Sequence, residues 1–342
     1  MKKIAKYLPG ALMALVIAAA AKLLETWEAS AGLHFIGASV IALFIGMLVN
    51  AFYKPNAVTQ PGIKFTSKKI LKFAIILLGA SLNIRTVLTV GRFSLTVMVF
   101  TLATCFGLGA LIGKALGLNW KTASLINAGT GICGGSAIAP VIEADDMDVA
   151  YGLSATFLFD MAMIVVFPLL GRALGLSDAA FGLWAGTAVN DTSSVVATGY
   201  AFSEAAGDFA TMVKLTRTLS IIPAVLAFSA INLHIKKKEQ AGASAAKVSI
   251  SKIFPWFILG FLAMSGLTSL GLIPANAASM LKEASKFLMV AALAAIGLNT
   301  DFRALCRSGA KPMLHGFIVS LLVVLVAIAV EYAIGVAPNG VL

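Results

Sequence analysis

The sequence predicts an all-α membrane protein that crosses the bilayer many times, on three observations. Hydrophobic residues make up 59% of the 342 and charged residues only 12%, with a mean hydropathy of +0.95; a soluble domain carries about 25% charged residues. The apolar residues gather into segments close to the twenty or so residues that a bilayer requires. Lys and Arg form short clusters between those segments and do not interleave with aromatics, so the net charge of +11 is a signal of membrane topology and not of nucleic-acid binding. Cys105, Cys133 and Cys306 lie in or beside apolar segments without CxxC spacing, which argues against a disulfide framework or a metal site.

Eleven apolar segments can be marked, at roughly 7–24, 33–52, 70–90, 93–113, 121–142, 149–171, 179–201, 210–233, 254–273, 284–300 and 312–336. The first follows Met1-Lys-Lys-Ile-Ala-Lys, which also fits the start of a signal peptide. The second segment depends on the first for its orientation, so the first is read as an uncleaved span. With the N-terminus inside, nineteen of the 26 Lys and Arg fall on the cytoplasmic side: Lys2, Lys3, Lys6, Lys54, Lys64, Lys68, Lys69, Lys72, Lys114, Lys121, Arg172, Lys236, Lys237, Lys238, Lys247, Lys252, Arg303, Arg307 and Lys311. Lys22, Arg92, Lys282 and Lys286 fall outside, as do the acidic stretches at 143–148 and 203–208; Arg85, Lys214 and Arg217 lie within or at the edge of spans. Eleven spans, N-in and C-out, satisfy this distribution. The polar stretch 235–252 reads as a flexible cytoplasmic linker.

The fifth segment holds the most informative run, Gly129-Thr-Gly-Ile-Cys-Gly-Gly-Ser-Ala-Ile-Ala-Pro140. Each interior glycine costs about 1 kcal/mol relative to alanine and proline about 3, so a broken helix is expected. In hydrocarbon such a break is tolerated only inside protein or beside a polar cavity. It lacks the Gly-Lys-Ser/Thr of a nucleotide-binding loop. The second half of a broken helix offers N–H groups to an anion, and the carbonyls of the first half suit a cation. Thr130, Gly131, Cys133, Gly134, Gly135 and Ser136 are therefore candidate contacts to substrate or coupling ion.

Asp160 sits mid-way along the sixth segment with no charge within a turn, and an intramembrane carboxylate is costly unless it pairs, faces a cavity or is protonated. It is a candidate proton or cation carrier. Asn190, Asp191, Thr192 and Ser193 supply oxygens fit for sodium or substrate. Lys214 and Arg217, three apart on one helix face, are candidate anion contacts or charge partners of the two aspartates. Histidines sit only at segment ends, which disfavours a histidine relay.

Two internal likenesses suggest repeats. Leu82-Asn83-Ile-Arg85 recurs as Leu298-Asn299-Thr-Asp301-Phe-Arg303, in opposite orientation across the membrane, as inverted repeats require; Asn299 joins the candidate site on this ground. Ala128-Gly-Thr130 to Ser136 also resembles Ala185-Gly-Thr187 to Ser194. In the topology above those two segments run parallel, which is incompatible with an inverted pair, and the repeat partner of the glycine run stays open.

Gly129 to Pro140, Gly186-Thr-Ala-Val-Asn190-Asp191-Thr-Ser-Ser194 and Gly297-Leu-Asn-Thr-Asp301 resemble, over essentially the whole chain, a family of bacterial inner-membrane proteins of unknown function that carries a sulfate-exporter label. The family is similar to the bile-acid symporter and sodium/proton antiporter group, which implies two five-helix inverted repeats with broken, crossing helices. That resemblance implies one transmembrane domain over 1–342: an extra N-terminal span in 1–30, a first repeat in 31–175 and a second in 176–342, with 121–142 and 284–300 as equivalent helices. The function expected is secondary active export of a small anion, a sulfur oxyanion or organic acid, coupled to protons or sodium. An anion channel is the alternative. No enzyme chemistry, cofactor or nucleic-acid partner is expected; membrane lipids and the anion are, and a homo-oligomer is compatible.

Overall fold

The computed structural model describes residues 6–30, 37–134, 137, 146–221, 223–224, 227–228, 255–300 and 309–339. Among these the regular structure is helical, without strands. The helices are α1 (Leu8–Ser30), α2 (Ala38–Phe52), α3 (60–78, with a π-type turn at Thr66–Ile70), α4 (Ile84–Ala115, with a π-type turn at Thr104–Leu108) and α5 (120–133, widening to a π-type turn at Gly129–Cys133). There follow α6 (Asp146–Ala173), α7 (Asp178–Ala188), α8 (Thr192–Phe202), α9 (Glu204–Thr218), α10 (Trp256–Ser269), α11 (Ala275–Leu298) and α12 (Ala310–Ala333). Among the described residues, four stretches are long and apolar enough to span a bilayer as single helices: Leu8–Glu28, Ile84–Ala115, Asp148–Ala173 and Ala310–Ala333. The linker 235–252 lies outside the described residues.

The chain forms two compact units, each drawn from three stretches. Unit 1 comprises Met1–Val90, Val196–Asp208 and Trp256–Ala304, and unit 2 comprises Gly91–Val195, Phe209–Pro255 and Leu305–Leu342.

Unit 1 is cored by alanines of α1, α2 and α11. Its helices approach at glycines. A β-carbon on Gly46 would strike Ala294 O and Leu298 N of α11, and one on Gly297 would strike Leu43 O and Met47 N of α2. Gly10 and Gly62 make a similar crossing of α1 and α3. Small residues allow this approach, and dispersion between the backbones replaces the hydrophobic drive that lipid removes. Polar side chains close the helix ends: Asn50 Nδ2 donates to Leu298 O at 2.6 Å, Ser265 Oγ to Leu82 O at 2.8 Å, and Glu25 Oε1 accepts from Ala38 N–H at 2.8 Å.

Unit 2 has a definite chain direction. α6 and α12 lie side by side and parallel: Gly316 packs against Ala155 near both starts, while beyond both ends Ser177 N–H donates to Pro338 O at 2.8 Å. α5 and α6 begin at the same end, where Thr122 Oγ1 donates to Asp148. α7 begins at the opposite end, runs antiparallel to α12 with Trp184 Nε1 donating to Val324 O at 3.0 Å, and so runs antiparallel to α5. α7 and α9 are parallel, because Gly186 abuts Ala210 and Val213 while Val189 O, farther along, accepts from Lys214 and Arg217.

These directions correct the sequence reading at three points. Charge counting set 149–171 and 312–336 antiparallel, yet α6 and α12 are parallel. It treated 121–142 and 179–201 as crossings, whereas α5 and α6 start at one end, and parallel α7 and α9 require α8 to return the chain. It also made the glycine run and the Thr187 segment parallel, and they are antiparallel. Hydropathy measures how much apolar chain there is and is blind to whether a break reverses its direction, which is why all three were missed.

Candidate functional site

The breaks form as composition demands. α5 starts on Asn119, whose side chain accepts from Lys121 N–H at 3.2 Å, and holds through Ala128 before the glycines loosen it. It stops at Gly134, with φ 62° and ψ −139°, a conformation open essentially to glycine alone. A β-carbon there would also lie 2.8 Å from Asp191 Cβ and 2.9 Å from Asp191 Oδ1. α7 starts on Ser177, which accepts from Ala180 N–H at 3.3 Å, and ends at Val189 in extended backbone; α8 resumes at Thr192. Two helices entering from opposite ends of unit 2 thus stop with their tips together.

A helix that stops in an apolar interior leaves carbonyls without partners. Lys214 and Arg217, both fully buried on α9, supply them. Lys214 Nζ donates to Ile132 O and Val189 O at 3.0 Å each and to Asn190 O. Arg217 Nε donates to Gly131 O at 2.7 Å, Nη1 to Val189 O at 3.2 Å and Nη2 to Thr130 O. Each cation therefore bridges the C-terminal ends of α5 and α7, where the partial charge is negative.

The opposite end of the break is held by carboxylates. Asp160, fully buried at the middle of α6, accepts from Asn190 N–H through Oδ1 and from Asp191 N–H through Oδ2, both at 2.9 Å. Asp191, partly exposed, accepts through Oδ2 from Ser193 N–H at 2.9 Å and from Ser193 Oγ. Both carboxylates sit where the start of α8 favours negative charge. The cluster carries two cations and two carboxylates, and their bonds run to backbone or to an adjacent hydroxyl. Thr130 Oγ1, Asn190 Oδ1 and Ser194 Oγ are buried there without a hydrogen-bond partner among the described residues. Native proteins keep few such atoms, so each needs an explanation, and a bound small molecule is one.

The structure thus brings together Thr130, Gly131, Gly134, Asp160, Asn190, Asp191, Ser193, Lys214 and Arg217, with Thr192 opening α8. Cys133 is turned to an apolar cluster with Leu125, Ile132, Ala137 and Ile221. Gly135 and Ser136 lie outside the described residues. Asn299 belongs to unit 1, at the exposed end of unbroken α11, where its Oδ1 accepts from Gln60 Nε2 at 2.7 Å. Sequence reasoning missed Ser320 of α12, whose Oγ accepts from Asn190 Nδ2 at 3.3 Å; one serine in an apolar segment gives little signal. Among the described residues no group of three or more His, Cys, Asp or Glu could hold a metal ion.

Residues 9–316 match the family described as Conserved hypothetical protein 698. The chain belongs to that family. It is 53% identical over 313 residues to a UPF0324 membrane protein of Clostridium tetani, covering 88% of this chain and 91% of the relative. It is 43% identical to a UPF0324 membrane protein of Streptococcus pyogenes serotype M3 over 340 residues, 96% and 98% of the two chains. A third, from Streptococcus mutans, is 42% identical over 324 residues, 92% and 94% of the two. No solved structure matches. Relatives named as membrane proteins, together with the apolar helices, make this a multi-pass bacterial membrane protein of a family whose function is unknown.

Proposed function

We propose that the protein is a secondary active transporter moving a small anion, a sulfur oxyanion or organic acid, by alternating access. The observation that carries this reading is the pair of helix breaks with tips joined by two buried cations on α9. Discontinuous helices at mid-membrane build the substrate and ion sites of secondary transporters. In this reading the chain crosses nine times, N-in and C-out, and the segments 121–142 and 179–201 are re-entrant from opposite faces. Relative to the eleven-span topology, Arg172 is the one basic residue that changes sides, together with Asp178 and the acidic stretch 143–148. We read the segments ending at Gly134 and at Val189, whose breaks run antiparallel, as the inverted pair of two repeats, a reading in keeping with kinship to the bile-acid symporter and sodium/proton antiporter group.

Coupling by protons is favoured over sodium. The carbonyls of Thr130, Gly131, Ile132, Val189 and Asn190, which would otherwise suit sodium, are taken by Lys214 and Arg217. The cations act through their field, while the unpartnered Thr130, Asn190 and Ser194 atoms are free for direct contact. No enzymatic step and no cofactor is assigned.

The test is counterflow in proteoliposomes of the purified protein, with labelled sulfate, sulfite, a sulfonate and a dicarboxylate, each with and without sodium. A carrier accelerates uptake of one of these when the same anion is loaded inside, without requiring sodium. Ohmic current without acceleration would identify a channel.

A further inference from the structure

Between Glu28 and Glu143 the sequence holds no Asp or Glu, yet α3 within that stretch carries Lys64, Lys68, Lys69 and Lys72. Residues four apart share one face of a helix, so Lys64, Lys68 and Lys72 form a stripe with Lys69 beside it, and all four are exposed. Like charges at that spacing repel. Elsewhere in unit 1 lysines meet carboxylates: Lys22 Nζ lies 3.6 Å from Glu25, Lys282 Nζ 2.8 Å from Asp208 and Lys286 Nζ 2.7 Å from Glu204. Among the described residues Lys64, Lys68 and Lys69 have no such partner.

The far end of α3 is fixed against α10, which runs parallel to it. Lys72 Nζ lies 5.4 Å from the ring centre of Phe257 near the start of α10, while farther along Thr268 Oγ1 donates to Ala80 O and Ser265 Oγ to Leu82 O, both at 2.8 Å. The lysine-free stretch from Phe73 to Leu82 measures only about 15 Å at helical rise, against about 30 Å of hydrocarbon. Both topologies put the start of α3 inside, so its lysine-bearing half lies within the thickness of the cytoplasmic leaflet. A short apolar stretch is accommodated by local thinning of the bilayer and by side chains that reach to the headgroups. Phe65 and Phe73, next to Lys64 and Lys72, are exposed as well, which suits acyl chains and not a water-filled passage. We propose that this stripe docks the anionic phospholipid headgroups of the cytoplasmic leaflet, with the ammonium groups donating to phosphodiester oxygens and the acyl chains lying along Phe65 and Phe73. A negatively charged leaflet attracts basic clusters beside a span, and the phosphates supply the counter-charge that this stretch of the chain lacks. The docking does not depend on what the protein carries.

The test is native mass spectrometry of the full chain in a non-ionic detergent, titrated with phosphatidylglycerol, with phosphatidylcholine of the same acyl chains, or with glycerol 3-phosphate as the headgroup without chains. The expected result is several-fold greater retention of phosphatidylglycerol than of phosphatidylcholine, lost when Lys64→Gln, Lys68→Gln and Lys69→Gln are combined and kept when the same three become Arg. Phosphatidylglycerol should also raise the thermal midpoint of the wild type and not that of the triple Gln variant. If the triple Gln variant does not fold, Lys64→Gln and Lys68→Gln decide singly, each lowering retention in part. Equal retention of the two lipids, a preference unchanged in the Gln variants, or occupancy by glycerol 3-phosphate matching that of the lipid overturns the proposal, the last in favour of a site for free anions.

Discussion

In unit 1, α2 and α11 meet at Gly46 and Gly297, where backbone lies on backbone. In unit 2, α5 and α7 meet through Lys214 and Arg217, which reach between two broken ends. The first arrangement keeps its helices whole and closes their ends with single polar side chains. The second stops two helices in the interior and answers the exposed carbonyls with buried charge. What the difference teaches is where a ligand can act: a glycine crossing has no polar group to offer, whereas the charged cluster retains unpartnered polar atoms at Thr130, Asn190 and Ser194.

The sharpest way to break this contrast is Arg217→Ala. It leaves Thr130 O and Gly131 O without that donor, and an orphaned buried group costs about 1–3 kcal/mol. The expected loss is about 4 kcal/mol for the pair, seen as poor yield and an early thermal transition in detergent, with Arg217→Lys recovering part. Next comes Gly297→Leu in unit 1, where overpacking should cost up to about 3 kcal/mol; a thermal midpoint equal to that of the wild type would show that the crossing is not tight. Gly134→Ala should cost about 2 kcal/mol through its backbone conformation, and should reduce counterflow more than Gly297→Leu does at matched folded protein, because the new methyl group meets Asp191.

The smallest effect belongs to Glu204, whose carboxyl is held below the usual carboxylate range chiefly by its hydrogen bond from Lys286, at 2.7 Å. A lowered carboxylate stabilises the fold above its unfolded value, and that contribution is lost as pH falls through its folded value. The Glu204 side chain is 70% exposed, so Glu204→Gln should cost only about 0.3 kcal/mol at neutral pH. The difference between variant and wild type should vanish at acidic pH in thermal unfolding.

Much of this was legible in the sequence. The glycine run pointed to its own break, because Gly129, Gly131 and Gly134 so close together make a continuous helix costly. Asp160, Lys214 and Arg217 declared themselves as charges in apolar surroundings. The roles did not follow, since they depend on which backbone groups the breaks leave open: Lys214 and Arg217 were read as anion contacts or charge partners of the two aspartates, and their hydrogen bonds go to carbonyls. Asn299 was chosen because Leu-Asn followed by Arg repeats by sequence, a likeness that says nothing of the unbroken α11 that Asn299 caps beside α2. Ser320 was hidden because a single hydroxyl in an apolar helix normally bonds to its own preceding turn.

Lys214 and Arg217 stand one helical turn apart on α9, and Val189 O takes a hydrogen bond from both. The two tips therefore share one mechanical anchor. Sliding or rotating α9 would strain both at once, and neither tip can withdraw alone without stranding a cation. Through these bonds α5's end, α7's end and this stretch of α9 are tied together, so a displacement of one is opposed by the hydrogen bonds of the other two.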